Sequence, residues 1–217
     1  MHRFPRWLPA AAVLLATLVQ LVVAATARDL PQFAGKGFTA RLVCYPLLML
    51  CAPALWWLAA RAGRTRGRAV PWTGLTLVMA PFLVDVSGNT LGLYDAVVWW
   101  DDVNHFTNWC LLTLGLGLVL DVAALRPRWA RAAAVVGGGA LLALLWEVGE
   151  WWTFIRHGTE LATAYEDTLG DMVLGTTGSA VALVLPALAG PALRRVRRAR
   201  EPRLSAVRPA SGTPGSR

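Results

Sequence analysis

The chain has 217 residues, of which 56% are hydrophobic and only 16% charged, proportions that lie outside the range of a soluble domain of this size. Its net charge of +8 raises nucleic acid as a partner, but the basic residues sit in short clusters between apolar runs instead of along one polar face. That pattern argues against nucleic acid and leaves membrane topology as the reason for the charge.

A helix needs about 20 apolar residues to cross a hydrocarbon core of ~30 Å. Six runs of that order follow one another: Trp7 to Ala27, Ala40 to Ala60, Val70 to Thr90, Val103 to Leu125, Ala132 to Phe154 and Thr168 to Ala189. The first follows Arg3 and Arg6 and resembles a secretory signal, but it exceeds the ~7 to 15 residues of a signal core and is read as a retained anchor. Trp7, Trp72, Trp99, Trp100, Trp129, Trp151 and Trp152 stand at the ends of these runs, where an indole places its apolar body and its N–H at headgroup level. Cys44, Cys51 and Cys110 are odd in number and lie inside apolar runs, so they read as small buried hydrophobes and not as a disulfide framework.

Orientation follows from the arginines. With the N-terminus in the cytoplasm, the inner segments collect all but four of the 21 basic residues, the exceptions being Arg28, Lys36, Arg41 and Arg156. The excess of positive charge on alternate loops predicts an all-α polytopic bundle of about six transmembrane helices with both termini inside. Residues 1–193 are expected to form one transmembrane domain. Residues 194–217, rich in Arg, Pro, Ser and Gly, are expected to be a disordered cytoplasmic tail whose arginines meet anionic lipid. The expected location is a bacterial cell (inner) membrane; the expected partners are membrane lipid and, for so small a chain, further copies of itself.

The acidic residues fall on this map at one side of the membrane. Asp85 and Asn89 are i, i+4 near the outer end of the third helix. Asp101, Asp102 and His105 open the fourth, with Asn108 one turn further. Glu147 and Glu150 are i, i+3 at the outer end of the fifth, and Asp167 and Asp171 are i, i+4 at the start of the sixth. Residues three or four apart share a helix face, so four helices each present a polar face at a common depth. An ionised side chain at mid-membrane costs about 2.5 to 3.5 kcal/mol on insertion scales, and no Lys or Arg lies within helices three to six to offset it. The basic groups in reach are His105 and the loop residue Arg156. A cation or retained protons would remove the deficit.

Hard oxygen donors with one imidazole suit Mg²⁺, Mn²⁺ or Zn²⁺, and the candidate metal ligands are Asp85, Asp101, His105, Glu147, Glu150, Asp167 and Asp171. Asp102, His105, Glu147 and Glu150 are the candidate acid and base groups, His105 first because its ordinary pKa is near neutral. Taken singly, Asp102 and Asp167 are equally read as first-turn acids favoured by the helix dipole. Asp121, near the cytoplasmic end of the fourth helix, is expected to pair with Arg126 or Arg128. His2 and His157 read as surface residues, Asp95, Glu160 and Glu166 as loop acids. The glycines at 115, 117, 137–139, 170, 175 and 178 read as points of close helix packing.

The succession Asp85, Gly88-Asn89, Gly92-Leu93-Tyr94, Asp101-Asp102, His105-Phe106, Trp146-Glu147, Glu150, Tyr165, Asp167-Thr168, Asp171 and Gly178 resembles the YjdF-like bacterial inner-membrane proteins over helices three to six. A looser similarity is to VanZ-like membrane proteins, from which Glu150 and Gly175 depart. The resemblance implies a polytopic membrane protein and supplies no reaction. Three functions remain open: metal-dependent binding or chemistry on a lipid or lipid-linked phosphate, proton- or cation-coupled transport, and a structural polar network serving a partner.

Overall fold

In the computed structural model, residues 4–121, 124–153, 155–157 and 159–200 are described, and their regular structure is entirely helical. In chain order the helices are α1 (Leu8–Thr26), α2 (Phe38–Arg61), α3 (Trp72–Thr90), the single turn α4 (Leu93–Ala96), α5 (Trp100–Leu120), α6 (Arg128–Ala132), α7 (Gly138–Thr153) and α8 (Ala164–Arg200). A π-helical turn, Ala133–Gly137, joins α6 to α7 without a break, and two short 3-10 turns, Ile155–His157 and Thr159–Ala162, lead into α8. Contact clustering separates Met1–Leu183 from Val184–Arg217; every packing feature below belongs to the first unit. Helix α8 runs on to Arg200, past the position 194 at which the sequence places the start of the tail. His2, residues 201–217 and the side chains of His157 and Glu160 lie outside the described residues.

The packing is organised on α3. Its inner face contributes Leu75, Val78, Met79 and Val86 to three apolar clusters, which join it to Ala10, Leu21 and Ala24 of α1, to Tyr45, Met49 and Ala52 of α2, and to Val119 of α5. Gln20 of α1 adds a side-chain bond to Ser87 of α3 at 3.1 Å. Between α3 and α5 the backbones nearly touch, because a Cβ on Gly115 would stand 2.7 Å from the carbonyl of Gly74 and from the amide of Val78. Small residues at a helix interface allow such an approach, and close packing is what holds helices together where lipid removes the hydrophobic drive between them.

Outward-facing surfaces are the reverse of those of a soluble protein. Val43, Leu47 and Leu55 on α2 are 60%, 67% and 60% exposed, and Leu145 on α7 is 57% exposed; contiguous apolar surface of this kind needs an apolar surrounding. Five segments are long and apolar enough to cross a membrane: Leu8–Thr26, Phe38–Arg61, Trp100–Leu120, Arg128–Thr153 and Ala164–Pro186. The third expected span is absent from this set. Helix α3 has 19 residues, but Pro81, Asp85, Ser87 and Asn89 dilute its apolar content, and its sheath of neighbours spares it the need for an apolar exterior.

The expected glycine packing is found at Gly115, Gly139, Gly175 and Gly178, whereas Gly137, Gly138 and Gly170 have no atom within reach of an added Cβ. Gly178 of α8 lies against the backbone of Phe106 and Cys110 in α5, and Gly175 lies against Trp109. Buried Thr113 of α5 and Ser179 of α8 share a hydrogen bond of 2.9 Å beside this crossing. Since a Cβ at position 178 meets rigid backbone, Gly178→Ala is expected to cost on the order of 1 to 3 kcal/mol as overpacking. A lowered unfolding midpoint in detergent reads it, with Gly137→Ala as the control that leaves the midpoint unchanged.

Candidate functional site

The polar residues converge at the end of the bundle where α3 and α7 finish and where α2, α5 and α8 begin. There they line a cavity of about 700 Å³, which takes in Asp85, Asp101, His105, Glu150, Asp167 and Asp171. Two arrangements divide it.

The first is centred on Asp85. Gly37 ends the α1–α2 connection in the left-handed region, φ 64°, and α2 starts at Phe38, two residues earlier than the hydropathy suggests. Arg41 and Tyr45, i and i+4, therefore stand on one face of the first turns. Arg41 Nη1 donates to Asp85 Oδ2 at 2.9 Å, and the Tyr45 hydroxyl donates to the same oxygen at 2.6 Å. The other oxygen, Oδ1, accepts from the Tyr94 hydroxyl at 2.7 Å. Asn104 Nδ2 donates onward to Tyr94, and Asn108 Nδ2 to Asn104 Oδ1 at 2.8 Å. Tyr94 sits on the connector outside the long helices; its burial, and then the Asp85 carboxylate, push its pKa up, so it stays a donor.

This corrects the charge count made from the sequence. A protein cation does reach the acidic cluster: it is Arg41 in the first turns of α2, which a count over helices three to six leaves out. Asp85 is thereby neutralised by Arg41 and is absent from the groups of side chains close enough to share an ion. Arg41, Tyr45, Tyr94 and Asn104 were missed as site residues, although the i, i+4 spacing of Arg41 and Tyr45 is a signal that could have found the first two. Asp121 likewise has Arg68 at 4.0 Å, a partner from the α2–α3 connection that the sequence reading did not include. Asp95, read as an unremarked loop acid, is bonded by Lys36 at 3.0 Å.

The second arrangement is centred on His105, on the opposite wall. Nδ1 has Asp171 Oδ1 of α8 at 3.5 Å and Glu147 Oε1 of α7 at 3.8 Å, and Nε2 has Asp101 Oδ1, one turn back on α5, at 3.6 Å. These separations exceed a hydrogen bond. Accordingly His105 Nδ1 and Glu147 Oε1 are both buried without a hydrogen-bond partner. Glu147 is 3% exposed and Asp171 4% exposed. Two sets of ligand atoms lie within 4.8 Å of one another: Asp101, His105 and Asp171, and His105, Glu147 and Glu150.

Of the expected site residues, then, the structure gathers Asp101, His105, Glu147, Glu150 and Asp171. Asp167 is exposed at the cavity wall, and Asp102 is exposed and off it. The close α5–α8 crossing explains the gathering. Gly178 and Asp171 are seven residues apart, two turns on one face of α8, so the contact of Gly178 with Phe106 carries Asp171 alongside His105. On α7, Gly139, Ala143 and Glu147 are the buried face, and the same periodicity brings Glu147 inward.

A family model described as "Predicted membrane protein (DUF2238)" matches residues 8–190. No curated protein and no solved structure matches the chain.

The Asp85–Arg41 pair makes a prediction of its own. Removing one member of a buried pair leaves the other uncompensated at a cost of about 3 to 5 kcal/mol. Asp85→Leu and Arg41→Met are each expected to lose that much in reversible unfolding from mixed micelles, and the double variant to recover most of it.

Proposed function

The chain belongs to this DUF2238 family of predicted membrane proteins. From that premise we propose that it crosses the bacterial inner membrane six times with both termini in the cytoplasm, and that it holds at the outer end of the bundle a divalent-cation site for binding, or chemistry on, a lipid or lipid-linked phosphate. Six crossings are supported by the ends that meet at the cavity. Helix α2 begins there with Arg41 and α3 finishes there with Asp85, so α3 returns across the distance that α2 covers. Its 19 residues reach about 28 Å at ~1.5 Å per residue, close to the ~30 Å of a hydrocarbon core. Its polar residues face the cavity and its neighbours, which is where such residues are tolerated at membrane depth.

The observation that carries the cation site is the environment of His105. Three carboxylates from three helices face one imidazole, and the buried Nδ1 and Glu147 Oε1 between them have no protein partner. A shared cation would compensate these carboxylates and offer a further coordination position to a phosphate oxygen as a Lewis acid. The amphiphilic substrate class is supported by the rest of the wall, where Phe82, Trp109, Leu112 and Trp146 lie beside the polar groups. Such a surface suits a ligand with a charged head and an apolar body.

Orientation is tested by labelling. In a background without the three native cysteines, Asp29→Cys is expected to react with an impermeant maleimide on intact cells and Arg66→Cys only after lysis; the opposite pattern overturns the topology. For the site, Mn²⁺ together with a short-chain phosphatidic acid is expected to raise the detergent unfolding midpoint by more than either alone, and Glu147→Gln to remove that excess. A parent protein whose midpoint responds to no divalent ion counts against the reading.

A further inference from the structure

The two nitrogens of His105 face different surroundings. On the Nδ1 side are Asp171 at 3.5 Å and Glu147 at 3.8 Å, both almost fully buried, with Glu150 in the same group of ligand atoms as Glu147. Nδ1 itself and Glu147 Oε1, each buried without a hydrogen-bond partner, lie on this side. On the Nε2 side is Asp101, at 3.6 Å, with its side chain 41% exposed. The side chains of His105 and Glu147 are 10% and 4% exposed.

We infer that His105 binds one first-row divalent ion through Nδ1, together with Glu147, Asp171 and Glu150, while Asp101 accepts a proton-bearing Nε2 and holds the ring in place without touching the ion. This rests on the cation site proposed above and assigns its coordination. Two ligand atoms each ~2.1 Å from one ion stand about 3.4 Å apart, close to the 3.5 Å and 3.8 Å found at Nδ1; Asp171 and Glu147 belong to different sets that share His105, so one ion at Nδ1 would draw the two sets together. A metal-bound histidine almost always gives its second N–H to a carboxylate or carbonyl, which fixes the tautomer and strengthens the ligand. Asp101 is placed for that part because it lies i, i+4 to His105 on the same helix, so α5 itself carries the ligand and its support. Direct imidazole ligation also separates the ions that suit this site. Zn²⁺ and Mn²⁺ accept a nitrogen beside carboxylates, whereas Mg²⁺ prefers an all-oxygen octahedron that keeps much of its water.

The test uses the full chain purified in detergent, with Zn²⁺ titrated against a competing chelator and Co²⁺ as a spectroscopic substitute. The parent is expected to bind one Zn²⁺ per chain with at least tenfold preference over Mg²⁺. Glu147→Gln and Asp171→Asn are expected to weaken Zn²⁺ binding by more than a hundredfold. Asp101→Asn is expected to weaken it ten- to a hundredfold while keeping one ion per chain and the parent's Co²⁺ absorption bands. Monodisperse elution and an unchanged unfolding midpoint without metal identify variants that have folded, and Glu166→Gln, which changes an exposed first-turn acid of α8 off the cavity wall, is the charge control that keeps parental affinity. A parent that binds no Zn²⁺ overturns the cation site and this assignment with it. Zn²⁺ binding that survives Glu147→Gln unchanged, or Co²⁺ bands that shift in Asp101→Asn, overturns the assignment alone and leaves a cation site with other ligands.

Discussion

The carboxylate of Asp85 binds side chains from two other segments and through them reaches a third, and this end of the bundle is arranged about it. Arg41 and Tyr45 tie it to α2 and Tyr94 ties it to the connector; through Tyr94 it reaches Asn104 on α5. A charge at this depth is tolerated only when its partner and hydrogen bonds are supplied together. The requirement therefore runs backwards along the chain. Helix α2 has to begin where Arg41 can point inward, and the α3–α5 connection has to fold so that Tyr94 returns over the end of its own helix. The Asp85 carboxylate is consequently a finished piece of structure, with its charge compensated and both of its oxygens accepting hydrogen bonds.

The His105 side is held in place chiefly by packing, with the Thr113–Ser179 hydrogen bond beside it. Glycine at 178 lets α8 reach the backbone of α5, and the periodicity of two straight helices does the rest. Their acids arrive beside an imidazole with spacings too long for direct bonds and too short for independent hydration. A matched wall and an unmatched wall thus face each other across one cavity. The matched wall accounts for stability; the unmatched one is where binding free energy remains to be gained, since a buried polar atom without a partner forfeits what a ligand can return.

Much of this was legible in the sequence because helices of fixed pitch convert spacing into direction. The pairs Asp85/Asn89, Asp101/His105, Glu147/Glu150 and Asp167/Asp171 announced their faces, and the alternation of arginine clusters gave each face its end. Three things were hidden. Arg41 stands at the start of the second run, outside the four helices whose spacing carries the acids, and hydropathy does not say which way the first turn of a helix faces. Asp102 and Asp101 are neighbours in sequence, but successive residues diverge by about 100° around the axis, so one lines the cavity and the other does not. The third helix falls below the apolar level of its neighbours because a helix wrapped by others can carry polar residues.

The π-helical turn at Ala133–Gly137 gives the continuous segment Arg128–Thr153 a property that neither α6 nor α7 has alone. A π turn holds one residue more than an α turn, and that residue sets the azimuth of everything beyond it. Were the same residues wound as an unbroken α-helix, the far half would turn by about 100° relative to the arginines at its start. Glu147 would then leave the interior for the flank of the helix without any change in its immediate neighbours. The orientation of the acidic wall is in this sense a matter of counting: it depends on the parity of a glycine-rich stretch at the other end of the same rod.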